Sequence, residues 1–109
     1  MEKEQSFGRE KDPEQELIGL LKEKGIDNPE VRDLLQNWTI ENEKIVEQSD
    51  DPQTELIWLN LKRARLYFEA GFTNEAFENY EDARLLAWNL RNNKLYEAIM
   101  QEMDQKDSL

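Results

Sequence analysis

The chain has 109 residues, 25 acidic and 14 basic, for a formal net charge of -11, and it contains neither cysteine nor histidine. Those absences remove disulfides, thiol nucleophiles, imidazole bases and the usual zinc ligands, while the negative field opposes binding to nucleic acid and anionic lipid. A charged fraction of 36% beside a hydrophobic fraction of 38% suits one domain built of thin helical layers.

Residues 1–11, MEKEQSFGREK, are polar around an isolated Phe7 and have no period that buries a face, so a mobile tail is expected there. This segment lacks the apolar stretch of a signal peptide, and no stretch of the chain approaches the ~20 apolar residues of a membrane span. A cytoplasmic protein with no membrane partner is expected. All three prolines follow Asp or Asn, at Asp12-Pro13, Asn28-Pro29 and Asp51-Pro52. A capping side chain followed by a residue whose missing N–H costs nothing in the first turn predicts a helix start at each. The first helix spans Pro13 to about Lys24, with Leu17, Ile18, Leu20 and Leu21 as its apolar face and Gly25 ending it. The second begins at Pro29 and carries Val31, Leu34, Leu35, Trp38, Ile45 and Val46 at three-and-four spacing, with Asn42 in the gap.

The third helix, Pro52 to Ala70, has two apolar stripes at 100° per residue: Ile57, Leu61, Ala64 and Phe68 form one, and Leu56, Leu59, Leu66, Tyr67 and Ala70 the other. Two stripes imply neighbours on two sides. Gly71 ends it, and Phe72 and Phe77 are placed to staple across a Thr73 cap into a fourth helix, Asn74 to Arg91. That helix turns Ala76, Tyr80, Ala83, Ala87 and Leu90 to one face, with Phe77 and Trp88 beside it and Glu75, Glu78 and Asp82 on a solvated face opposite. Residues 91–93, RNN, break the pattern. A fifth helix follows with Leu95, Tyr96, Ile99, Met100 and Met103, and the domain is expected to span 12–104 with a polar tail over 105–109. The fold class is all-α, an antiparallel helix-hairpin array of about five helices.

Sliding the chain by 42 residues sets LLQNW (34–38) on AFENY (76–80), and brings Trp38 onto Tyr80, Ile45 onto Ala87 and Ile57 onto Ile99. Hairpins at a period near 40 imply a stacked array. The stretch ARLYFEAGFTNEAFENYEDA (64–83) resembles a tetratricopeptide repeat, with Ala64, Tyr67, Gly71, Ala76, Tyr80 and Ala83 in that family's order and spacing. Two helices cross closely where alanines face each other, and an aromatic ring fills the gap beside them. Asn60 stands where the family has a bulky aromatic, and Arg63 where it has leucine.

The resemblance implies a concave groove for a partner's peptide or helix, lined by Trp58, Leu61, Lys62, Arg65, Phe68 and Glu69. The helical wheel also places Trp58, Lys62, Arg65 and Glu69 on the arc between the two stripes, and a large aromatic among charged side chains suits an interface anchor. Lys62 and Arg65 replace the asparagines of the family's carboxylate clamp, and as paired cations on one face they suit a more general anion contact. Arg63 falls in the second stripe and is expected to lay its stem on the core and meet a carboxylate of the fourth helix. No catalytic, cofactor or metal constellation is present. The expected function is therefore a non-enzymatic protein-interaction module, with two alternatives: a small acidic inhibitor acting through its carboxylate-rich surface, and a secretion or assembly chaperone built on the same repeat. So few hairpins leave apolar surface at an array end, which favours self-association.

Overall fold

The computed structural model describes residues 12–109, so the expected tail over 1–11 lies outside the described residues. Five helices follow one another: α1 Pro13–Lys24, α2 Pro29–Gln48, α3 Pro52–Glu69, α4 Thr73–Asn89 and α5 Asn93–Asp107. The proline rule holds at all three sites. Asp12 accepts from the Glu14 N–H at 3.0 Å, Asn28 from Val31 at 3.2 Å and Asp51 from Thr54 at 3.3 Å, each with proline just inside the helix. Asn92 caps α5 in the same way, accepting from Leu95 at 3.1 Å. The fifth helix continues to Asp107, past the expected domain end.

The turn into α4 differs from its expected form. Thr73 is the first residue of the helix, the cap position falls on Phe72, and no side chain caps it. The reason lies in the preceding helix end. Gly71, at φ +93°, donates to Phe68 and Phe72 donates to Tyr67, the paired bonds of a Schellman turn, so α4 restarts at once. Phe72 then packs with the α1–α2 side of the molecule and Phe77 with the α4–α5 side, so they form no staple. The end of α4, at Asn89 and two residues earlier than expected, repeats this turn: Arg91 donates to Trp88 and Asn92 to Ala87, with Arg91 itself left-handed at φ 59°.

Connections of three or four residues fold each helix back on the one before, so α1, α3 and α5 run in one direction and α2 and α4 return between them. Helix α1 also packs on α3. The two stripes of α3 feed two cores. Leu59, Leu66 and Ala70 join Leu17, Ile18, Leu21, Val31 and Trp38 in the first, and Ile57, Leu61 and Ala64 join Tyr80, Ala83, Ala87, Leu95 and Ile99 in the second. Ala64, Ala76, Ala83 and Ala87 have no exposed surface, as a close helix crossing requires.

Helix α2 departs most from its expected pattern. Val31 and Trp38 are buried, but Leu34 is 39% and Ile45 61% exposed. Thus the 42-residue slide sets exposed Leu34 and Ile45 against buried Ala76 and Ala87. Val31, Leu35, Trp38 and Asn42 instead match Ala76, Tyr80, Ala83 and Ala87 in order and spacing, and each of these eight is buried or half-buried. Trp88 is likewise exposed, its indole 5.3 Å from the Tyr96 ring.

Ala83→Leu should lower stability by about 1–3 kcal/mol through overpacking of the α4 crossing, measured by urea unfolding. Arg91→Gly should raise it by up to about 1 kcal/mol, because relief of a left-handed arginine exceeds the added freedom of the unfolded chain.

Candidate partner-binding face

Helix α3 presents Trp58, Lys62, Arg65 and Glu69 as one exposed stripe at spacings of four, three and four. Trp58 is 42% exposed. The other two expected members of the face sit differently. Leu61 is 1% exposed and belongs to the second core, where no partner can touch it, because it lies on the Ile57–Ala64 stripe. Phe68 is half-buried, edge-on to Phe77 at 6.5 Å, with the Lys106 ammonium 4.9 Å from its centroid.

The two cations of the stripe are held by the protein itself. Arg65 donates through Nε and a terminal nitrogen to both Glu102 oxygens at 2.8 Å, a two-pronged pair that ties α3 to α5. The same carboxylate accepts from the hydroxyl of fully buried Tyr80 at 2.5 Å. Lys62 donates to the Asn42 side chain at 3.2 Å and lies 3.8 Å from Glu14 of α1. The expected anion-binding pair is thus committed within the chain, and the face offers an aromatic side chain more readily than a free positive charge. Glu14, Glu102 and Lys106 were absent from the expected face. They lie 37 or more residues from their α3 partners, beyond the reach of a local helical period.

The electrostatics follow from the geometry. Arg65 holds the Glu102 carboxyl below its ordinary value, with the Tyr80 hydroxyl adding to this effect and burial opposing it. Burial, and then the Glu102 carboxylate, push the Tyr80 phenol well above its ordinary value.

Behind the face, Arg63 meets amides and not the expected carboxylate. It donates to Asn79 of α4 at 2.7 Å and to Asn60 at 2.8 Å. Asn60 is only 5% exposed, so it needs such a partner. The two residues that depart from the tetratricopeptide pattern therefore satisfy each other.

A second concavity lies between α1 and α2. Its volume is about 450 Å³, and Leu17, Leu20, Leu34 and Trp38 line it beneath a margin that includes Glu14, Glu16 and Glu41. Sequence periodicity assigned these four apolar residues to the core; Leu17 and Trp38 are buried there and Leu20 is half-buried against it, while Leu34 is exposed.

No protein-family model, curated protein or solved structure matches the chain. Among the described residues, no helix is long and apolar enough to cross a membrane.

Because Glu102 titrates below its unfolded value, its pairing stabilises the protein above about pH 4.5 and is lost as pH falls through the lower folded value. Glu102→Gln should cost about 1–2 kcal/mol at neutral pH, a moderate value for a half-exposed charged pair. The difference from the parent, measured by urea titration, should shrink steadily on acidification.

Proposed function

We propose that the chain is a non-enzymatic, cytoplasmic protein-interaction module of the tetratricopeptide type that receives a partner's peptide or helix on the face centred on α3. One observation carries this reading: Trp58 is substantially exposed in the middle of the helix that supplies both cores, on a stripe flanked by α1 and α5. Exposure of a large aromatic costs the folded chain apolar burial that it recovers only when a partner covers the ring. The alternating directions of the helices and the alanine-lined crossing of α3 and α4 support the family reading.

The internal commitments of Lys62 and Arg65 shape what the partner contributes. Apolar contact with Trp58 and Phe68 supplies affinity, and the Arg65–Glu102 pair forms a flat, neutralised wall against which the partner lies. Lys62, held by longer and exposed contacts, is the cation most readily released to an acidic group.

The test is affinity capture from the native source with the parent chain and with Trp58→Ala as baits, followed by mass spectrometry and titration of the recovered protein. Trp58→Ala should weaken that protein's binding at least tenfold and Lys62→Glu by a smaller factor, with helicity by circular dichroism unchanged. Affinity that survives Trp58→Ala but collapses with salt would instead assign the binding to the carboxylate-rich surface.

A further inference from the structure

The apolar groove between α1 and α2 borders the α3 face, since Lys62 bonds Asn42 and lies beside Glu14, both on its lining. We infer that it accepts an amphipathic helix whose apolar row is flanked by lysine or arginine. Its floor is Leu17, Leu20 and Trp38. Leu17 and Trp38 are nearly closed off by their own packing, while Leu34, 39% exposed, supplies the open wall. The α1 side of the groove, from Pro13 to Leu20, is about 12 Å long at the rise of an α-helix, enough for two turns of a bound helix placing side chains at i, i+4 and i+7.

Charge selects the occupant. Glu16 and Glu41 stand on the margin with Glu14, whose carboxylate lies 3.8 Å from Lys62, and no lysine or arginine lines the groove itself among the described residues. The chain around them carries a net charge of -11. A bound helix with cations beside its apolar row meets opposite charge at the margin; an acidic helix meets repulsion. The same arithmetic disfavours a second copy of this chain, since a two-fold contact through the groove would set these carboxylates against themselves.

The experiment uses the full chain and three synthetic 16-residue peptides, followed by fluorescence anisotropy. One is helical with a leucine row flanked by lysines, one has glutamates in place of the lysines, and one has the lysine-peptide residues in scrambled order. The lysine-flanked helix should bind saturably at 1:1, at least tenfold more tightly than either control. Leu34→Gln, at a site too open to endanger the core, should weaken it at least tenfold; Glu16→Lys with Glu41→Lys should weaken it comparably; Trp58→Ala should leave it unchanged. Equal binding of the scrambled peptide would reduce the effect to bulk charge and overturn the inference. So would affinity that survives Leu34→Gln, or affinity lost in Trp58→Ala, which would move the peptide to the α3 face. Concentration-dependent dimerisation in sedimentation, abolished by Leu34→Gln, would overturn it in favour of a second copy.

Discussion

The arrangement of the last three helices depends on what a buried tyrosine requires. Tyr80 fills the gap beside Ala76 and Ala83 where α4 crosses its neighbours, and a ring of that size keeps the crossing from collapsing. Its hydroxyl, carried inside with it, must find an acceptor, and Glu102 of α5 supplies one. A half-buried carboxylate in turn needs a counter-charge. Arg65 of α3 provides it with two hydrogen bonds, so a single packing choice on α4 fixes where α3 and α5 stand relative to each other. Lys106 over Phe68 adds a second tie, one turn further along the same pair of helices.

Helix α3 is the member on which everything else is laid. Its two apolar stripes serve different cores, and the polar residues between them are distributed by role. Arg63 reaches inward to satisfy Asn60 and Asn79, Lys62 and Arg65 reach sideways to α1, α2 and α5, and Trp58 and Glu69 remain outside. The short stretch LKRAR thus holds three cations with three destinations. None of them contributes to a basic patch of the kind that would attract a polyanion.

The sequence was most informative where physics acts locally. Capping by Asp12, Asn28 and Asp51 ahead of proline depends on neighbours within three residues, and all three helix starts follow from it. The two stripes of α3 were legible because a helix of 18 residues samples its period several times. Legibility fails where a side chain's fate depends on another element. Leu34 and Ile45 have the spacing of core residues, yet whether they are covered depends on the length and placement of α1. Glu102 looks like any acidic surface residue until α5 is set beside α3. Thr73 fits the preference for a capping residue, but the Schellman turn before it leaves no room for a cap. Of the expected face, the exposed stripe of Trp58, Lys62, Arg65 and Glu69 was legible from the wheel, whereas the internal use of its cations was not.

The division of the interior into two cores that share only α3 has a consequence for motion. Helices α1 and α2 contribute to the first core alone, and their polar ties to α3, through Lys62, are long and solvent-exposed. Separating them from the rest breaks one core and leaves the alanine crossing and the Tyr80–Glu102–Arg65 chain intact. On this basis the N-terminal hairpin is expected to open below the free energy of global unfolding. Amide protons of α1 and α2 should then exchange through that partial opening, and those of α4 and the inner face of α3 only when the whole chain comes apart.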